Sequence, residues 1–461
     1  MTTIDLNGNP FHFIGIGGIG MSGLAYILAK RDFPVSGSDI RPNHITARLQ
    51  GVGAKIFSEQ QASNLDIFTY AVNQKLPQII WSTAINNHNS EYIAAIKHGF
   101  PIFHRSDLLA ALIKDYYSIA VSGTHGKTTT SSLIGYLLLE AKLDPTIIVG
   151  GEVRAWEGNA RLGAGNYLVA EADESDGSLT KHQPKIGVIT NIELDHPDHY
   201  QDLSQLVGIF QTFAQQCELV VGCVDCQIVR EQIKPTIGYS ITDRPEADYQ
   251  AKNIVHQGKE TTAEVWERGE YLGSIKLQIP GKHNVSNALA AIALGRKLGL
   301  SFDIISQAIA GFEGAKRRFE KRGEYQGATL VDDYAHHPSE IKATLQAARL
   351  QVEQGCYQRL IAIFQPHRYS RTARFLEEFA TAFTEADRVI ITDIYSAGEA
   401  NLSQINGSHL VEAIALHHHN VIYHPQLSSL SDYLRQILQP GDLVLFLGAG
   451  NLNQVIPELL D

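Results

Sequence analysis

Ser122-Gly123-Thr124-His125-Gly126-Lys127-Thr128-Thr129-Thr130 follows an apolar, strand-like run from Tyr117 to Val121 and opens a helical pattern from Ser131 to Leu143. Strand, glycine loop, Lys-Thr and helix is the order of a phosphate-binding loop. Glycines let backbone N–H groups turn toward an anion, and the helix N-terminus adds partial positive charge. In such a loop Lys127 reaches the terminal phosphates and the Thr128 hydroxyl holds Mg²⁺. The spacing is shortened to G-x-x-G-K-T, because the first glycine of the longer form would fall at Val121. The reading is a nucleoside triphosphate site on an α/β domain.

The chain has 461 residues, too many for one core, so two or three domains are expected. Hydrophobic residues make up 44% and charged residues 19%, the balance of a packed globular enzyme. No apolar run is long enough to span a bilayer, and Met1 to Asp5 show no secretory pattern. The net charge of −11 argues against nonspecific nucleic-acid binding, so an anionic ligand needs local basic pockets. Cys223 and Cys226 form a C-x-x-C without a partner pair at zinc spacing, and Cys217 and Cys356 stand apart. Reduced structural cysteines in a cytoplasm fit this pattern.

Outward from the loop, three α/β blocks are legible. The first starts with the strand Phe11 to Ile14, then Gly15-Ile16-Gly17-Gly18-Ile19-Gly20, a helix from Met21 to Arg31, and a strand from Pro34 to Gly37 ending at Ser38-Asp39. Gly15, Gly17 and Gly20 match the dinucleotide fingerprint, and Asp39 sits where a ribose-binding acid belongs. The physics requires only a diphosphate at a helix N-terminus, which a nucleotide sugar satisfies as well as NAD. The second block carries the phosphate loop, strands Tyr167 to Ala170 and Ile186 to Thr190, an antiparallel region near Ala247 to Ile279, and a helix from Val285 to Leu298. The third has five apolar runs: Thr329 to Val331, Leu360 to Phe364, Val389 to Thr392, Val421 to Tyr423 and Leu443 to Leu447. Helical patterns such as Glu340 to Leu350 and Ala373 to Ala386 separate them, and His417 to His419 fall late in another. Alternating β and α units predict mostly parallel sheets, with ligands at the carboxyl ends of strands.

Polar clusters stand at those ends. Glu171 to Asp176 follow one strand, where acids beside a phosphate loop orient Mg²⁺. Asn191 to His196 follow the next. Gly281-Lys282-His283-Asn284 and Asn287 open a helix, as a cap or as a nucleotide dock. Lys316-Arg317-Arg318-Phe319 follow the second boundary, and an arginine there can clamp a phosphate. Asp332-Asp333-Tyr334-Ala335-His336-His337-Pro338 and Phe364 to Arg371 follow adjacent strands of the third block. Arg368 and Arg371 suit a carboxylate, and His336 can take a proton from an amine. A dehydrogenase, with NAD at Gly15 to Gly20 and no ATP hydrolysis, and a regulatory ATP-binding protein remain competing classes.

Over Phe11 to Asn451, these segments, together with Gly448-Ala449-Gly450-Asn451, resemble the Mur ligase family. The resemblance implies three domains: a Rossmann-like UDP-sugar-binding domain over 1–106, a central ATP-binding domain over 107–312 and a Rossmann-like amino-acid-binding domain over 313–461, with a hinge near 312–316. It implies ATP-dependent amide ligation through an acyl phosphate, in a cytoplasmic bacterial enzyme of peptidoglycan precursor synthesis, monomeric or homodimeric. The substrates implied are UDP-N-acetylmuramate, L-alanine and ATP with Mg²⁺, with attachment of a recycled tripeptide to the same sugar as the alternative. By the same resemblance Gly15, Gly17, Gly18, Gly20, Met21, Ser22 and Asp39 hold the sugar nucleotide. ATP falls to Gly123, Thr124, His125, Gly126, Lys127, Thr128, Thr129, His283, Asn284, Asn287, Arg318 and Asp332. Thr128, Glu171 and His196 form the metal shell; Tyr334, His336, Arg368 and Arg371 surround alanine; and Lys127, Glu171, His196, His336, Arg368 and Arg371 carry catalysis. The carbamylated lysine of later family members has no counterpart, since no lysine lies between Lys185 and Lys234. Ala335 stands where the family commonly has glycine.

Overall fold

The computed structural model describes residues 3–68, 75–197, 199–258 and 260–460; residues 1 and 461, the outer limits of the expected domains, lie outside these. Three sheets organise the described residues. The first has five parallel strands in the spatial order Lys55–Phe57, Val35–Ser38, Phe11–Ile14, Gln78–Trp81 and Ile102–His104. Chain order reverses beside Phe11–Ile14, so the glycine turn opens at the switch point where such sheets bind ligands.

Ten strands form the second sheet. Its parallel centre runs Ile237–Ser240, Leu219–Cys223, Ile186–Ile189, Tyr117–Ser122, Tyr167–Glu171 and Thr146–Val153. The polar alternation after Ala247 becomes an antiparallel meander, Tyr249–Gln257, Glu260–Glu267 and Glu270–Leu277. The helix Lys282–Lys297 buries residues around its whole circumference, including Val285 and every position from Asn287 to Gly295. A helix of that kind lies inside a core. The helix Lys127–Glu140 starts four residues before the expected Ser131. Its first-turn threonines are buried, and packing overrides their weak helix propensity.

The third sheet runs Glu320–Tyr325, Ala328–Asp333, Asp442–Leu447, Arg359–Phe364, Arg388–Ile391 and Val421–Tyr423. All pairs are parallel except the first, whose polar, half-exposed edge strand carries no apolar alternation to betray it. The expected helix over Ala373 to Ala386 is instead two short ones, Tyr369–Arg374 and Leu376–Ala380. The chain leaves helical geometry at Phe375 (φ −111°, ψ 24°), whose ring packs edge-on against His337 at 4.8 Å. His417 to His419 also differ from expectation, because the helix there ends at Ala415. His418 is buried with Nε2 2.8 Å from the Ala386 carbonyl oxygen, a structural tether.

One hydrophobic core joins the first and second sheets, with Met21, Leu24 and Leu28 packed with Ile148, Ala160 and Leu168. Asn159 Nδ2 donates to Ser22 Oγ at 3.1 Å across this seam. Met21 and Ser22, expected in the sugar-nucleotide site, are therefore buried packing residues of the helix Ile19–Lys30.

Candidate active site

The phosphate loop is held open by two glycines that no other residue could replace. Gly123 has φ +136°, and a Cβ there would lie 2.0 Å from Thr190 Oγ1; Gly126 has φ +80°, with its Cβ 2.7 Å from Asn287 Oδ1. Asn191 secures the loop from the neighbouring strand end. Its Oδ1 accepts from the His125 N–H at 2.9 Å and its Nδ2 donates to the His125 carbonyl at 3.0 Å. The Thr124 hydroxyl is taken up by the Glu193 backbone, donating to its carbonyl at 3.0 Å and accepting from its N–H at 2.9 Å. Thr128 and Thr129 are buried at the start of the helix.

Lys127 folds over the loop. Its Nζ donates to the Gly123 carbonyl at 2.7 Å and to both oxygens of Glu174 at 2.9 and 3.0 Å. Burial alone would lower its pKa, but Glu174, Asp173 and Glu171 outweigh that and hold the ammonium charged. Burial pushes the Glu174 carboxyl up to about 7, against the pull of Lys127. Glu174 thus occupies the anion's place on Lys127 and is the carboxylate best able to give it up. Asp173 is shared with Arg105 at 3.0 Å. Glu171 Oε2 accepts from the Gly150 N–H at 2.7 Å.

His196 has φ +57° and sits with Nε2 3.8 Å from Glu174 and 3.6 Å from Asp195. Burial lowers its pKa, so its imidazole is neutral and available as a ligand. A threonine hydroxyl, clustered carboxylates and a neutral imidazole beside one lysine form a donor set that fits a hard divalent cation.

Beside the loop lies a cavity of about 840 Å³, lined by His125, Gly126, Thr129, His283, Asn284, Asn287 and Arg318 among others. That volume suits a nucleotide. Asn287 bridges the loop helix and its own, accepting from Thr130 Oγ1 at 3.1 Å and donating to Asn284 at 3.1 Å. Burial, with Arg318 nearby, lowers the His283 pKa to about 4. Asp332 does not line this cavity; it is buried against Arg317 and Arg322 at 3.4 Å each. The neighbouring Asp333 lines the cavity instead, because successive strand residues face opposite ways. Burial, opposed by Arg318, pushes its carboxyl up to about 6.

Three groups from the third sheet's strand ends face the central domain. The His336 ring lies 5.9 Å from His367 and 5.3 Å from Tyr334. Burial takes the His336 pKa down to about 4, so its imidazole is a free base. Arg371, expected on a substrate carboxylate, instead grips Asp195. Its Nε and Nη2 both approach Asp195 Oδ1 at 2.9 Å, and Nη1 meets His367 Nδ1 at 3.2 Å. Arg368 takes the left-handed backbone (φ +68°) and caps the following helix, with its N–H on the Tyr395 carbonyl. The sequence reading passed over Asp195, Glu174, Asn191 and His367, although all stand in quoted segments after strands. A second interdomain contact joins His125 to Glu193 at 2.9 Å and Glu340 at 3.2 Å.

Burial alone would lower the His125 pKa, but hydrogen bonds to Glu193 and Glu340 raise it to about 9. The stabilisation is complete below the ordinary histidine value near ~6.5 and is lost as pH rises through about 9. We expect the melting-temperature advantage of wild type over His125→Gln, in metal-free buffer, to be largest at pH 6 and to shrink through pH 9. A constant advantage would contradict the triad.

At the first sheet the turn is self-capped: the Gly17 N–H donates to Asp39 Oδ2 at 2.9 Å. Gly15 takes φ +80°, Gly18 is exposed, and Gly20 lies against Arg105.

Comparison with known proteins agrees with this arrangement. The Mur ligase catalytic-domain profile matches residues 10–117, the Mur ligase middle-domain profile 121–295, and the Mur ligase glutamate ligase domain profile 317–450. A UDP-N-acetylmuramate–L-alanine ligase of Microcystis aeruginosa is 65% identical, with 99% of this chain and 96% of the relative covered. The crystal structure of a UDP-N-acetylmuramate–alanine ligase from Thermotoga maritima superposes with a TM-score of 0.81 at 28% identity, covering 98% of both chains. A murein peptide ligase from Psychrobacter arcticus shares the fold at a TM-score of 0.73 and 22% identity, over 98% of both chains. With matches along its whole length and three mostly parallel α/β sheets in the same order, the chain belongs to the Mur ligase family.

Proposed function

We propose that the chain joins L-alanine to the lactyl carboxylate of UDP-N-acetylmuramate at the expense of ATP, giving ADP and phosphate. The observation that carries the reading is the seam itself: the strand end at Asp195 and His196, beside the phosphate loop, and the His336–Arg371 cluster meet through Arg371 and Asp195 at 2.9 Å. The full-length likeness to an alanine ligase supplies the substrates. Residues 1–106 hold the sugar nucleotide, 107–312 ATP and 313–461 alanine.

A carboxylate is a poor acyl donor, and two anions must approach. Lys127 offsets that repulsion once the γ-phosphate displaces Glu174 from its ammonium. A carboxylate oxygen attacks the γ-phosphorus, ADP leaves, and the acyl phosphate forms. Alanine reacts as its free amine, which adds to the acyl carbon. His336, unprotonated at neutral pH, takes the proton that the nitrogen sheds on addition, and phosphate departs. Thr128, Glu171 and His196 are the residues that would hold Mg²⁺, which when bound offsets phosphate charge. Arg368 and Arg371 orient the alanine carboxylate, Arg371 by exchanging Asp195 for it.

Phosphate release measured with and without each substrate tests the reading. Release that needs both UDP-N-acetylmuramate and L-alanine is the expected result; release that responds to a tripeptide and not to alanine would favour the recycling ligase. A Cβ at Gly17 would lie 2.7 Å from Asp39 Oδ2 and break the cap of the turn. We expect Gly17→Ala to raise the KM for the sugar nucleotide about tenfold, a loss of ~1.4 kcal/mol, with the KM for ATP unchanged. Equal effects on both would refute separate sites.

A further inference from the structure

Across the seam between the central and third sheets lies a cluster to which the proposed reaction steps give no role, although His125 also lines the nucleotide cavity. One nitrogen each of His125 and His337 and one oxygen of Glu193 lie within 4.8 Å of one another. The His125 and His337 rings are 4.8 Å apart, centroid to centroid. His337 is only 2% exposed. Its Nδ1 accepts from the Ser339 N–H, and among the described residues its Nε2 has no hydrogen-bond partner. A buried imidazole nitrogen without a partner is a costly group, and it is the free electron pair a metal takes.

The surroundings have the form of a histidine–carboxylate metal site. Glu193 gives Oε2 to His125 at 2.9 Å, while Ser339 Oγ fixes Oε1 at 2.6 Å. Glu340 holds the far nitrogen of His125, Nδ1, at 3.2 Å. A carboxylate behind a ligating histidine is the outer support that orients metal-bound imidazoles. The ion must displace the second proton of His125, which Glu193 and Glu340 hold; with both imidazoles then neutral, those two carboxylates balance a divalent charge. Two nitrogens and one oxygen suit a borderline-soft cation in four-coordinate geometry with one open position, and suit Mg²⁺ poorly, since it favours oxygen ligands in an octahedron. Tetrahedral zinc with ligands at ~2.1 Å spaces them ~3.4 Å apart, so a cluster whose ligand atoms lie within 4.8 Å must tighten by up to about 1.4 Å.

We propose that His125, Glu193 and His337 bind a zinc-class divalent cation, a site distinct from the Mg²⁺ residues of the ligation reaction. Two ligands follow strands of the central sheet, at the ends of Tyr117–Ser122 and Ile186–Ile189, and the third caps the helix Pro338–Glu353 of the third domain. The ion staples the two domains shut. Product release needs them to part, so the ion arrests turnover.

The test is Zn²⁺ and Co²⁺ titration of the full-length chain in saturating Mg²⁺, read by calorimetry and by the visible absorption of Co²⁺. We expect one tight ion per chain, with the absorption of a four- or five-coordinate nitrogen–oxygen site. His337→Ala and Glu193→Gln should each weaken binding at least about thirtyfold, and Glu340→Gln about tenfold, in proteins whose melting without metal shows they are folded. Zn²⁺ should raise the melting temperature of wild type and not of His337→Ala. No stoichiometric ion in wild type would overturn the site. So would undiminished affinity in folded His337→Ala and Glu193→Gln, or a thiolate charge-transfer band placing the ion on Cys223 and Cys226.

Discussion

Lys127→Ala is expected to cut turnover about 10³-fold, the scale for losing one preorganised donor at a reacting phosphoryl group. The loss should fall on kcat, because Lys127 acts on charge that develops as the γ-phosphate transfers. Sugar-nucleotide affinity should stay within about twofold, since that site lies at another sheet's switch point. The variant should fold: Glu174 loses its partner, but its carboxyl is already pushed up to about 7 and can take a proton. Steady-state kinetics beside calorimetric binding of UDP-N-acetylmuramate separate these. Loss of sugar binding in a folded variant would contradict the assignment of two sites.

The second large effect is expected at the seam. Arg371 and Asp195 are 3% and 6% exposed, and two guanidinium nitrogens meet one carboxylate oxygen at 2.9 Å. Removing one partner of a buried pair leaves an uncompensated charge, at a cost of ~3–5 kcal/mol. Arg371→Ala should therefore raise the KM for alanine by about 10² or more and lower the melting temperature of the alanine-free enzyme. Arg371→Lys should rescue little, because an ammonium cannot reproduce the guanidinium fork. The double variant with Asp195→Asn should be more stable than Arg371→Ala alone, since no stranded carboxylate remains. Additive losses would mean that the two residues do not act as a pair.

Much of this was legible in the chain. Gly123 and Gly126 announced the loop because glycine tolerates their positive φ, with Lys127 directly after them, and apolar runs between polar clusters announced parallel strands with ligands at their ends. Partnerships were not legible. That Lys127 meets Glu174, or Arg371 meets Asp195, depends on which strand ends become neighbours, and residues 47 and 176 positions apart leave no local trace. Asp332 and Asp333 show the limit at its finest. Both are acids after one strand, and only the facing of that strand decides which enters the cavity. Met21 and Ser22 show a related limit: the glycine pattern announces a turn, not what the side chains of the helix behind it pack against.

In the proposed reaction the sugar's carboxylate attacks the γ-phosphorus at the Lys127 site. That attack is followed with UDP-N-acetylmuramate labelled with ¹⁸O in both carboxylate oxygens, turned over with ATP, Mg²⁺ and L-alanine. The oxygen that bridges carbon and phosphorus must leave with phosphate, so each phosphate released should carry one ¹⁸O. Unlabelled phosphate, or label recovered in AMP, would contradict it.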